Sequence, residues 1–360
     1  MRARRIVAVF GGLVVGLLVA ECGARLLSPT PGEELLFNAP DAAPAALYRD
    51  STTLLIEPNP GFSGTIRSLG YSVLLRINSL GLRGPEVGKG RKWLAVGDSF
   101  TMSAQVAEDE TFEGRLGAKL GVEVLNGGVD GYSTWQATLR YRQLDRAAET
   151  DTVLLTYFLG NDLDDNERMP GLLRGPRAPG GHASFHDDLD PVTNFLFAHS
   201  VLFAYGRVAW KRHLVESGND FDGQRFQQEL QIFSHNGRAQ LERLLPSTDA
   251  ALRELREEAR SRGDALIVAV APPSFAVDVD MARRLLDLFK VTDPDLGAPR
   301  LAVVATLQRL GITTCDLTPP LAAAIARGEK PYFRFDGHWT KEGHAIVAET
   351  LAECVDGRAP

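Results

Sequence analysis

From Lys92 to the C-terminus, short apolar runs alternate with stretches of helical spacing, and that alternation leaves few folds open. Trp93–Val96, Val122–Leu125, Val153–Leu159, Ala265–Ala271 and Ile312–Leu317 read as five strands. Helical spacing fills Phe100–Leu120, Thr134–Glu149, a charged stretch that includes Ala250–Arg262, and Lys341–Cys354. Runs of this kind predict a parallel sheet covered by helices on both faces. Ligands of such sheets bind beyond the carboxyl ends of the strands. The chain has 360 residues, 44% of them hydrophobic, which is enough for one large, elaborated α/β domain.

The N-terminal part has a different grammar. Met1-Arg2-Ala3-Arg4-Arg5 is basic, and Ile6 to Ala20 is apolar or glycine. Positive charge before an apolar stretch predicts a membrane anchor with the remainder of the chain outside the cytoplasm. A cleaved signal peptide is the rival, but Ala20-Glu21-Cys22-Gly23-Ala24 is a poor cleavage site, and Glu21 argues against lipidation of Cys22. We therefore expect a single uncleaved transmembrane helix over 1–27 and a Pro- and Ala-rich linker over 28–50. A small β-rich arm over 51–90, with Ser72–Ile77 as one strand, then precedes the α/β domain over 91–360. Between strands three and four, residues 170–236 form a long, aromatic-rich and mostly helical insertion, of the kind that serves as a lid or substrate cap.

Charge and cysteine content narrow the function classes. A net charge of −7 argues against a nucleic-acid partner. Three cysteines make no disulfide framework; Cys315 and Cys354 either pair in an exported protein or stay as buried thiols. No cofactor motif is present, and Asp162, Asp164 and Asp165, with no His or Cys beside them, read as a solvated acidic patch or helix cap rather than a metal site.

Four short motifs fall at strand ends. They are Gly97-Asp98-Ser99, Asn126-Gly127-Gly128-Val129-Asp130-Gly131, Gly160-Asn161-Asp162 and Asp336-Gly337-His338. All four would meet at one rim of the sheet. A serine at a strand–turn–helix junction faces backbone N–H groups and a helix N-terminus. Alone, Ser99 would also serve as an N-cap. With a histidine base and a carboxylate, the same serine becomes a nucleophile.

In this order and placement, Ser99, Gly131, Asn161 and His338 resemble the four residues that define the SGNH, or GDSL-type, hydrolases. The resemblance runs from Lys92 to the C-terminus, less the insertion. It implies a flavodoxin-like three-layer α/β/α fold with a five-stranded parallel sheet. It also implies Ser99 as nucleophile, His338 as base and Asp336 as its orienting carboxylate, with an oxyanion hole made by Ser99, Gly131 and Asn161. Founding members of the family carry Asp-x-x-His, whereas here Asp336 and His338 are one residue closer. This spacing resembles the envelope branch, which includes polysaccharide O-acetyltransferases and acetylesterases. Asp98 reads as a loop-holding acceptor, and His344, six residues after His338, as structural.

The expected function is hydrolysis of an O-acyl ester of an envelope glycan or lipid through an acyl-enzyme on Ser99. The alternatives are an O-acyltransferase that passes the acyl group to a polysaccharide hydroxyl, and a non-catalytic envelope glycan-binding protein. The expected partners are the acylated glycan or lipid and the membrane.

Overall fold

The computed structural model describes residues 2–27, 47–67, 71–175, 196, 200–203, 206, 210, 228–333 and 336–357. Its centre is a five-stranded sheet of β5 (Lys92–Gly97), β6 (Glu123–Asn126), β7 (Thr152–Phe158), β8 (Ala265–Ala271) and β9 (Thr313–Asp316), in the order β6-β5-β7-β8-β9. Every pairing is parallel. All five expected strands are present, each end within one residue of its expected position.

Successive strand residues serve opposite faces, as the period of two requires. Leu94 and Val96, Val153, Leu155 and Tyr157, and Val268 and Val270 enter one core. There they meet α4 (Thr134–Ala148), α5 (Asp162–Arg174), α6 (Arg238–Arg262), α8 (Val279–Leu288) and α9 (Ala298–Arg309). Trp93, Ala95, Leu154, Ile267, Ala269 and Ala271 enter the other core. It is closed by α3 (Phe112–Leu120), α10 (Thr318–Ala326) and α11 (Lys341–Val355). This is the expected three-layer arrangement. A disulfide between Cys315 and Cys354 ties β9 to α11, which decides between the two states left open for these cysteines.

The stretch Phe100–Leu120 is mostly helical, as expected, but in separate pieces. It divides into α2 (Ser99–Met102), a one-turn 3-10 segment at Glu108–Glu110, and α3. Ser103 in the left-handed region (φ 54) ends α2, and Thr111, whose hydroxyl accepts from Gly114 N, starts α3 afresh. Sequence reading also passed over α5, α7 (Ser274–Val277), α8, α9 and α10.

The arm consists of two antiparallel pairs: β1 (Tyr48–Ser51) with β2 (Leu55–Pro58), and β3 (Ser63–Arg67) with β4 (Ser72–Arg76). Strand β1 takes up the end of the expected linker. The arm has its own apolar cluster of Leu47, Ile66, Leu75 and Ile77, and Met102 and Ala104 from the segment after Ser99 complete it. At the start of the expected insertion, residues 170–174 belong to α5, and near its end Leu230, Ile232 and Phe233 are buried in the main core.

Residues 2–27 form one helix, α1. Among the described residues, however, no helix is long and apolar enough to cross a membrane, so the expected spanning helix is not supported. Val15, Leu17, Leu18, Val19 and Leu26 of α1 are exposed. Its Glu21 carboxylate accepts from Ser200 Oγ and from the amides of Val201 and Leu202, capping the helical turn at 201–203. The histidines at 182, 186, 199 and 213, with Phe185, Phe195, Phe197 and Tyr205, lie outside the described residues.

Candidate active site

The site begins where β5 ends. Gly97 has φ 148, and a Cβ there would stand 2.5 Å from Thr101 Oγ1 and 2.8 Å from Thr156 O, so only glycine fits. The turn carries the chain into Asp98, whose Oδ1 accepts from Phe100 N at 2.9 Å and caps α2. Ser99 is the first residue of that helix. The loop after β6 packs backbone against backbone on α2: a Cβ on Gly128 would collide with Met102 N and with Thr101. Asn126 Nδ2 fastens this contact by donating to Thr101 O at 2.6 Å. Gly131 lies in the same loop with φ 71, and Asn161 is the N-cap residue of α5. The Asn161 Oδ1 is buried and has no hydrogen-bond partner among the described residues.

His338 arrives from the opposite end of the chain, on the loop before α11. The loop is closed by Phe333 N to His338 O (2.8 Å), Gly337 N to Phe333 O (3.0 Å) and Thr340 N to Pro331 O (2.9 Å). Trp339, 1% exposed, anchors it by packing edge-on against Phe100, with centroids 4.8 Å apart. The imidazole lies over the Phe100 ring at 4.8 Å. Its Nε2 is 2.7 Å from Ser99 Oγ, and its Nδ1 is hydrogen-bonded to Asp336 Oδ1.

The short Asp-Gly-His spacing is accommodated by the backbone of Gly337. At φ 80 it reverses the chain so that the Asp336 carboxylate folds back beneath the imidazole and also accepts from His338 N at 3.0 Å. Asp336 Oδ2 accepts from Tyr71 OH at 2.7 Å. Burial alone would raise the Asp336 pKa, but the facing His338 and these hydrogen bonds hold it below the ordinary carboxylate value.

Beneath this row lies a buried polar layer. Asp98 and Asp162 are both enclosed; burial raises each, and the nearby Asp98 raises Asp162 further. Asp162 Oδ2 accepts from Phe158 N at 2.7 Å. Asp162 and Asp165 are 2% and 1% exposed and lie in the first turn of α5, so of the two readings the solvated patch is corrected and the helix-start placement is what the structure has. Arg83, also buried, donates to the carbonyls of Met102, Ser103 and Val106 and so grips the chain just beyond Ser99. Burial pulls Arg83 down to about 10, which leaves it charged at neutral pH. His344 is buried and accepts from Phe112 N at 3.2 Å, in keeping with a structural role. Among the described residues no group of three or more His, Cys, Asp or Glu side chains is placed to hold a metal ion.

Tyr71 and Arg83 had no signal in the sequence. Tyr71 is 265 positions from Asp336, and nothing in its own neighbourhood marks it out.

A family model described as SGNH hydrolase-like domain, acetyltransferase AlgX, matches residues 232–360. Over that segment the chain is similar to SGNH hydrolase-like domains. The matched segment contains Asp336 and His338 and begins after Ser99, Gly131 and Asn161. Among solved structures, a catalytic mutant of an acetylxylan esterase from Geobacillus stearothermophilus is 15% identical, with 75% of this chain and 96% of that chain covered and a TM-score of 0.38. A G-D-S-L family protein from Desulfitobacterium hafniense is 14% identical, with 74% and 99% covered and a TM-score of 0.37. No curated relative matches the chain.

Proposed function

We propose that the protein transfers acyl groups from O-acyl esters through an acyl-enzyme on Ser99. The observation that carries this reading is the unbroken hydrogen-bonded row Ser99 Oγ, His338 imidazole, Asp336 carboxylate. His338 Nε2 takes the proton as Ser99 Oγ attacks the ester carbonyl. Asp336 keeps the Nδ1–H tautomer and stabilises the imidazolium. The amides of Ser99 and Gly131 and the side chain of Asn161 receive the charge on the tetrahedral oxygen. The intermediate collapses, the alcohol leaves with the proton from Nε2, and the acyl group stays on Oγ. A water deprotonated by His338 then releases the carboxylic acid.

A second reading replaces that water with a sugar hydroxyl, which makes the protein an O-acyltransferase. The family description favours it, since the matched domain is named for an acetyltransferase. The two readings share every step up to the acyl-enzyme and part only at the acceptor.

The substrate class is an acylated glycan or lipid of the cell envelope. In support, the Cys315–Cys354 disulfide suits an oxidising compartment outside the cytoplasm. The basic start of α1 and its exposed Val15, Leu17, Leu18 and Val19 suit a helix held at a membrane.

The test is hydrolysis of p-nitrophenyl acetate by Ser99→Ala. Turnover falls at least ~10³-fold while the melting temperature stays near that of the parent. Retained turnover refutes the nucleophile. Addition of acetylated and unacetylated envelope glycans then separates the acceptors: free acetate marks the hydrolase, and acetate appearing on glycan marks the transferase.

A further inference from the structure

Among the described residues, Tyr71 joins the arm to the catalytic row. Tyr71 sits immediately before β4, and its hydroxyl donates to Asp336 Oδ2 at 2.7 Å. The other carboxylate oxygen is already taken by His338, through its backbone N at 3.0 Å and its Nδ1. Each oxygen of Asp336 therefore has its own donor, one from the C-terminal loop and one from the arm.

The short spacing makes the second donor matter. Asp336 folds back on a residue only two positions ahead of it, and His338 engages one of its oxygens alone. Rotation about the Cβ–Cγ bond would exchange the two oxygens or turn the carboxylate out of the imidazole plane. A phenol on the far oxygen removes that freedom. Hydrogen bonds from a donor to a carboxylate are among the stronger ones in proteins.

The Tyr71 ring is packed on two sides. It lies against Phe333 with centroids 5.2 Å apart, and Phe333 belongs to the loop that carries His338. It also packs on the arm cluster, which takes in Met102 and Ala104 just beyond the nucleophile. The arm thus touches both the nucleophile's segment and the base's loop, and Tyr71 is the point where it meets a reacting group's partner.

We infer that Tyr71 is a positioning residue for acyl transfer: its hydroxyl fixes the Asp336 carboxylate, and through it the imidazole of His338. The inference rests on the proposed Ser99 chemistry, and it makes the arm part of the active site rather than an appendage.

The test is a double-mutant cycle of Tyr71→Phe and Asp336→Ala, read as kcat and KM for p-nitrophenyl acetate, with Ser99→Ala as control. Tyr71→Phe keeps the ring and its packing. Its kcat falls about ten-fold with KM within about two-fold, the loss of one hydrogen bond to a charged partner. In the Asp336→Ala background, the same change alters kcat by less than about two-fold, because the group it acts through is gone. Equal effects in both backgrounds, or a Tyr71→Phe kcat within two-fold of the parent, overturn the inference. A second readout does not depend on turnover: the low-field proton resonance of the His338 Nδ1–H shifts or broadens in Tyr71→Phe, and an unmoved resonance likewise overturns the inference. Activity in Ser99→Ala would instead refute the chemistry on which it rests.

Discussion

At the scale of single residues, the site depends on atoms that have no room to move. Gly97→Ala would place a Cβ 2.5 Å from Thr101 Oγ1 at a φ of 148, so the variant is expected to lose both turnover and thermal stability. Asn161→Ala, which removes a proposed oxyanion donor, is expected to lower kcat ~10²–10³-fold with little change in folding. Glu113 offers a pH test. It lies buried beside Asn126, and burial pushes its carboxyl from 4.5 up to about 8. An acid whose folded pKa lies above its unfolded value holds its proton more tightly when folded. Its contribution is therefore full below pH 4.5 and fades as pH climbs towards 8. Glu113→Gln stays neutral throughout, so its melting temperature falls less between pH 5 and pH 8 than the parent's; equal slopes contradict this assignment. The proposed triad and oxyanion residues could be picked from the sequence because each sits in a turn whose chemistry is local. Tyr71 could not, because its role exists only once two distant segments meet.

At the scale of elements, the buried strands were readable because their apolar runs end sharply at Gly, Asn or Asp. The missed helices lack that clarity. Helix α5 opens on Asp162 and contains Pro170, α10 has Pro in its first turn, and α9 carries apolar residues around much of its circumference. Tertiary packing supplies what their local patterns do not. Near the end of the insertion, Phe233 packs edge-on to Phe275, with centroids 4.9 Å apart, inside the main core. Phe233→Ala is accordingly expected to cost about 3–5 kcal/mol in a denaturant titration. A loss under 1 kcal/mol would mean that this stretch is peripheral.

At the scale of the whole molecule, the α/β sandwich brings both ends of the domain to one rim, and the arm bears on that rim from outside. The alternation of strands and helices made the three layers legible, because a parallel sheet needs cover on both faces. The use of the arm was not legible, since short hairpins carry no record of what they pack against. The disulfide spans 39 positions and ties the last helix, which follows His338 directly, to the sheet edge. Thiol titration of the unreduced, unfolded protein should find one reactive thiol, that of Cys22. Cys315→Ser/Cys354→Ser should lose roughly 4 kcal/mol by the chain-entropy relation for a loop of this length.

The proposed chemistry turns on Ser99, made nucleophilic by the imidazole 2.7 Å away. Peptide mass spectrometry after treatment of the folded protein with a fluorophosphonate tests it directly. The adduct is expected on Ser99 in the parent and to be absent in Ser99→Ala, with labelling slowed at least ~10²-fold in His338→Ala. An unlabelled Ser99, or labelling that does not respond to the loss of His338, would contradict it.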